Sequence, residues 1–146
     1  MAFIKMKLTK TLYQLLYNLP SAPPEIGGLI GQSRKSDTID TAFIDEGKFV
    51  YQDICQYTPD EILLNHIIAD WNNHRIALSG IFHTHKVGNG CQYFSSSDIN
   101  YIQAIMKDSS SKLYFPIIVP RIGIFPYLVE YNQTSGLSIL IDKVEF

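Results

Sequence analysis

Cysteine is scarce in this chain. Cys55 and Cys91 are the only two, too few for a disulfide framework, so a reducing, cytoplasmic setting is the expected compartment. Charge of either sign is scarce as well: 12 basic against 14 acidic residues leave a formal charge of −2. The basic residues are scattered and form no run, which leaves no electrostatic footprint for a nucleic-acid partner. Long hydrophobic runs are missing too. The opening Met1-Ala2-Phe3-Ile4-Lys5-Met6-Lys7-Leu8 has lysines inside its apolar stretch and does not read as a signal peptide. Phe115 to Val129 is interrupted by Pro116, Pro120, Arg121 and Pro126, so no membrane span and no membrane partner are expected. What is present is 46 % hydrophobic and 18 % charged over 146 residues, the balance of one globular domain over residues 1–146 with enough chain for a core.

Local patterns divide the chain into alternating extended and helical segments. Phe3–Leu8 reads as a short edge strand. Thr9 or Thr11 then caps a helix whose Leu12, Leu15, Leu16 and Leu19 fall at i, i+3, i+4 and i+7. Leu19–Pro24 is an extended connection, and Glu25–Gly31 follows as a strand whose glycines imply close backbone packing. Thr38–Ile44 and Lys48–Tyr57 read as paired strands around Asp45-Glu46-Gly47. Thr58-Pro59-Asp60-Glu61 opens a helix reaching about Asn73, with Ile62, Leu63, Ile67, Ile68 and Trp71 expected inside. Arg75–His85 is a strand, Lys86–Phe94 a connection and Ser96–Lys107 a third helix. Leu113–Val119, Ile122–Tyr131 and Leu137–Glu145 finish as strands, with Pro126 marking an edge or a bend. The expected architecture is an α/β (α+β) three-layer domain, a mixed sheet flanked by helices.

The stretch from Ser79 to Asp98 carries the chemistry. His83 and His85 are two residues apart, so on a strand both rings leave the same face. Asp98, in the first turn of the following helix, faces back toward the strand end. Two imidazoles and one carboxylate suit a first-row metal, and three protein ligands leave a fourth position for water, the pattern of a catalytic zinc site. The same residues also read as polar strand-end surface plus a Ser95-x-x-Asp98 capping box, which needs no metal. Asp98 stands one turn before Ile102 on a helix with apolar Ile99, Ile105 and Met106, and borders a stripe where an unpaired carboxylate is costly. On this stretch alone both readings stay open.

Glu25, just after Pro23-Pro24, reads by itself as a solvated loop acid. Taken together, however, Pro24-Glu25-Ile26-Gly27-Gly28-Leu29-Ile30-Gly31, then Gly80-Ile81-Phe82-His83-Thr84-His85, then Ser95-x-x-Asp98 resembles the JAB/MPN family of zinc metalloproteases. The JAMM motif of that family is an early Glu, then His-x-His-Pro, then Ser-x-x-Asp, and the chain looks like a small standalone prokaryotic-type member. Two departures are visible. Lys86 stands where the family has Pro, and the connection Lys86–Ser97 is about two residues longer, which reshapes the rim where substrate enters.

The resemblance implies a cytidine deaminase-like fold and a division of roles. His83, His85 and Asp98 would bind Zn2+ with water as fourth ligand, Glu25 would act as general base, and Ser95 would donate to the oxyanion. It further implies a peptidase or isopeptidase that hydrolyses an amide at the C-terminal tail of a ubiquitin-like or sulfur-carrier protein, with the tail bound as an added strand. Two other classes stand beside this reading. One is a non-catalytic MPN-type scaffold; the other is a different zinc hydrolase of similar fold, such as a deaminase, although the Pro-Cys-x-x-Cys of deaminases is absent. His66 and His74 read as surface or helix-end residues, Cys91 as an incidental loop cysteine, and Phe94 as a neighbour of the site mouth.

Overall fold

The computed structural model describes residues 5–22, 24–47, 57, 59–107, 112–141 and 143–146. Its axis is β4 (Ile76–Thr84), which pairs antiparallel with β2 (Gly27–Ser33) on one side. On the other side it runs parallel to β5 (Leu113–Tyr114) and β6 (Ile117–Val119). Beyond β2 lies β3 (Thr41–Asp45), and beyond β5 lie β8 (Tyr127–Asn132) and β9 (Gly136–Ile141), giving the order β3-β2-β4-β5-β8-β9. β7 (Gly123–Phe125) folds back on β6. Separately, β1 (Lys5–Lys7) and β10 (Lys143–Glu145) form a short parallel pair.

Side-chain alternation on β2 and β4 sorts the helices into layers. Ile30 and Phe82 point to one face, where they meet Leu12 and Leu16 of α1 (Lys10–Tyr17). Leu29 and Ile81 point to the other, against Leu64 and Trp71 of α2 (Glu61–Asn73) and Ile102 and Met106 of α3 (Ser96–Met106). Successive strand residues must face opposite ways, so a sheet apolar on both faces has to be covered on both. The result is a mixed α+β fold with a mostly antiparallel sheet between helices. Among the described residues no helix is long and apolar enough to cross a membrane.

Local departures from the expected pattern have physical causes. In α2 the buried residues are Leu64 and Trp71, with Ile67 and Ile68 partly covered, whereas Ile62 is 72 % and Leu63 38 % exposed. Six large apolar positions span more than one stripe, and the one that closes on the sheet is 64, 67/68, 71. The cap of α2 is Asp60, whose side chain accepts from the Leu63 N–H at 3.1 Å, so Pro59 lies outside the helix. In α1, capped by Thr9, Leu12 and Leu16 are buried and Leu15 is 47 % exposed, because an eight-residue helix turns only one narrow face inward. Pro116 divides the strand expected over Leu113–Val119 into β5 and β6, since it has no N–H for the ladder. Pro126 separates β7 from β8 at the expected bend. The strand expected over Lys48–Tyr57 lies outside the described residues except for Tyr57, and so does Thr58. β3 pairs antiparallel with β2.

Candidate metal centre

The end of β4 is pinned residue by residue. The His83 N–H donates to the Pro116 carbonyl at 3.4 Å, the Thr84 N–H to Ile26 at 2.8 Å and the His85 N–H to Ile118 at 2.9 Å. Thr84 turns to the opposite face and is fully buried, and its hydroxyl accepts the Ile26 N–H at 3.0 Å. The two imidazoles therefore share a face, with their Nε2 atoms 2.8 Å apart. Nδ1 of His85 lies 2.8 Å from the Cys91 carbonyl. A carbonyl only accepts, so Nδ1 carries a proton there and directs the Nε2 lone pair into the cluster.

Asp98 comes to the same point from the first turn of α3. A complete capping box sets it: the Ser95 hydroxyl accepts the Asp98 N–H at 3.1 Å, and Asp98 Oδ2 accepts the Ser95 N–H at 2.9 Å. Asp98 Oδ1 then lies 3.3 Å from His83 Nε2, and Oδ2 lies 3.1 Å from His85 Nε2. The three side chains are only 11–13 % exposed. One ligand atom from each lies within 4.8 Å of the others. Bonds of about 2.0–2.2 Å to a tetrahedral zinc would separate ligand atoms by roughly 3.3–3.5 Å, so the observed spacings are close to that and a few tenths tighter.

Electrostatics point the same way. Lone pairs of two ring nitrogens and a carboxylate converge, and only a proton or a cation relieves their repulsion. Burial pushes the Asp98 carboxyl up, but the hydrogen bonds from His83 and His85 and the Ser95 N–H outweigh it and hold it well below the usual carboxylate range. Burial likewise pushes His85 down, and its bond to Asp98 more than reverses this, so His85 titrates above an ordinary imidazole. The donor set fits zinc, with one ring's second nitrogen tied to a backbone carbonyl as metal-binding histidines usually have it.

Glu25 stands beside this cluster and outside it. Counting back from the Gly27–His83 register puts it opposite His85, and the Thr84–Ile26 bonds keep the strands together to that point. Its Oε1 accepts the Tyr57 N–H at 3.3 Å. Burial raises its pKa, opposed by the charges of His85 and His83 and by that N–H. Tyr57 itself is held by its hydroxyl, which donates to Asp45 Oδ2 at 2.7 Å. Asp45 is buried and also accepts the Asp60 N–H at 3.2 Å and the Gly47 N–H at 2.9 Å. In register, Asp45, Gly27 and His83 form one row across three strands. Gly27 is the gap in that row: a Cβ there would run into the Tyr57 ring.

Thr84, Asp45, Tyr57 and the Cys91 carbonyl are thus parts of the site that motif reading missed. Thr84 had a visible signal, a β-branched hydroxyl of opposite parity between two histidines. Asp45 read only as a turn residue, and Tyr57 carried no signal. Ser95 is solvent-exposed at the helix mouth. Phe94 lies parallel to the His83 ring at 6.3 Å and packs on Tyr127 at 4.6 Å. The Tyr127 hydroxyl donates to the Gln92 carbonyl, so the connection after His85 is tied to β8. The Cys91 thiol is free and half-buried against Ile117, Val119 and Tyr127. His66 is exposed, and His74 caps α2 with its ring on the Asp70 carbonyl.

No protein-family model matches the chain, and no curated protein does. Among solved structures, the solution structure of protein DSY2949 from Desulfitobacterium hafniense is similar, with a TM-score of 0.61 and 18 % identity over 95 % of this chain and 90 % of that one. At this identity the likeness shows a shared fold.

Proposed function

We propose that the chain is a zinc-dependent amide hydrolase with a JAB/MPN-type fold, a peptidase or isopeptidase acting at the C-terminal tail of a ubiquitin-like or sulfur-carrier protein. The observation that carries this reading is the meeting of His83, His85 and Asp98 in one nearly buried cluster, with Glu25 held beside it. His83 Nε2, His85 Nε2 and the Asp98 carboxylate would hold the ion. When bound, zinc supplies Lewis acidity at neutral pH, polarising a carbonyl and acidifying water. Glu25 takes the proton of the attacking water and returns it to the leaving amine, a task suited to a carboxylate whose burial raises its pKa. The Ser95 oxygen accepts from Asp98, which leaves its own O–H to donate to the carbonyl oxygen as charge develops there. The free thiol of Cys91 suits a cytoplasmic setting.

Zinc stoichiometry and hydrolysis of an amide at a Gly-Gly tail, measured on one preparation, test the reading. One zinc per chain and metal-dependent cleavage are expected. A protein that takes up no zinc overturns the metal centre. A zinc-loaded protein that cleaves no amide overturns the hydrolase and leaves a scaffold.

A further inference from the structure

We infer that the cavity beside the metal cluster is a specificity pocket for a neutral, apolar side chain of leucine-to-phenylalanine size, carried by the substrate residue next to the cleaved amide. The inference rests on the hydrolase reading for the chemistry at the cluster, and on separate observations for the pocket. The cavity holds about 150 Å³ and is bordered by His83 and Asp98, so whatever fills it lies alongside the reacting amide. An apolar cavity of about that size is known to accommodate a benzene ring. Its inner end is Ile81, Ile102 and Phe115, all buried, which makes burial of an apolar group favourable.

The walls exclude charge. Tyr57 and Tyr101 flank the cavity, and burial pushes both phenols up so that they remain neutral. Among the described lining residues there is no Lys or Arg, and the one carboxylate is Asp98. Asp98 is already engaged by His83 and His85, so a charged side chain entering the cavity would be buried without a free partner. The wall is also built rather than accidental. Gly27 makes room for the Tyr57 ring, and Asp45 fixes its hydroxyl. A tail ending in Gly-Gly offers no side chain on its acyl side, so the occupant belongs to the residue on the amine side.

Two readouts on zinc-loaded protein test this. The first is isoleucine-methyl NMR at Ile81 and Ile102 during titration with phenylalaninamide, leucinamide, glycinamide and aspartic acid amide. Saturable shifts are expected with the first two only, and Ser97→Leu, at the exposed mouth of the cavity, should abolish them while zinc content stays at one per chain. The second is cleavage of N-acetyl-Gly-Gly-X-amides. X = Phe or Leu should exceed X = Gly in kcat/KM by about tenfold or more, Ser97→Leu should collapse that ratio, and Tyr101→Ala should shift preference toward Trp. Absence of methyl shifts with phenylalaninamide, or equal cleavage of the Phe and Gly peptides, overturns the pocket. Methyl shifts without any cleavage keep the pocket and overturn the hydrolase.

Discussion

The histidine end of β4 and the glutamate end of β2 lie side by side, yet they are built in opposite ways. At the histidine end every part has several supports. Three successive N–H groups are bonded across strands, His85 is held through both ring nitrogens, and Asp98 is held by the capping box as well as by the imidazoles. At the glutamate end the supports run in series: Asp45 holds the Tyr57 hydroxyl, and the Tyr57 backbone holds Glu25. A parallel network tolerates loss of a helper but not of a ligand, whereas a serial one passes any disturbance on to its last member. In the proposed hydrolase, metal content would therefore report on the first region, and rate at constant metal content on the second.

The largest effect should come from removing a ligand. His83→Ala leaves two protein ligands, and zinc stoichiometry measured after gel filtration should fall from about one toward zero, with turnover at background. Retention of zinc by this variant would remove the cluster from the metal reading altogether. Glu25→Gln is the matching change in the second region. It keeps shape and hydrogen-bonding capacity, so zinc should stay bound while turnover falls about a hundredfold to ten-thousandfold. If zinc is lost as well, Glu25 is a ligand and the contrast between the two regions disappears.

Ser95 belongs to both descriptions, and Ser95→Ala sharpens the boundary between them. As a cap alone it should cost about 1 kcal/mol of stability with turnover per folded molecule unchanged. As oxyanion donor it should also lower turnover about a hundredfold at constant zinc. The proposed mechanism expects both losses together, read by melting temperature and steady-state kinetics on one sample.

Which parts of this site could be read in advance follows from the range over which the signals act. Strand parity and helix phase are local, so the shared face of His83 and His85 and the inward position of Asp98 were accessible from spacing. The capping box was equally local. Asp45 and Tyr57 are brought to the site by β2–β3 pairing and by a gap at Gly27, neither of which periodicity encodes. Cys91 contributes a carbonyl, a group that every residue carries, so side-chain identity gave no sign of it. In the fold, Pro126 was legible as a bend, while the inward stripe of α2 was not, because six large apolar residues offered two faces and only packing chose between them.

Protonation acts on the histidine end through two groups with opposite shifts. In the metal-free protein, the raised His85 pKa means that its pairing with Asp98 stabilises fully below the ordinary imidazole value of about 6.5 and fades as pH rises through the folded value. The lowered Asp98 pKa makes that contribution present above about 3.9 and lost as pH falls toward the folded value. Metal-free protein should therefore lose this stabilisation as pH rises from about 6.5 through the raised His85 value. Zinc must displace the His85 proton, so its stabilisation should grow over the same interval by about tenfold in affinity per pH unit below the His85 pKa. Calorimetric scans with and without zinc across that range check both slopes; parallel curves would mean that zinc binds elsewhere.

The smallest expected effect is at Thr84, which joins the two regions through its hydroxyl as well as its backbone N–H. Thr84→Val keeps the shape of the side chain and removes the acceptor of the Ile26 N–H. The donor is then buried without a partner, at a cost of about 1–3 kcal/mol. The histidines keep their own strand bonds, so zinc content should not change. Glu25 is one residue from Ile26, and any slackening there reaches the proposed base directly, so turnover should fall severalfold without loss of metal. Thr84→Ser, which retains the hydroxyl and loses only a methyl group, should recover the turnover even where it does not recover all of the stability. Equal turnover losses in the Val and Ser variants would assign the effect to packing behind the sheet and break the link between Thr84 and the glutamate end.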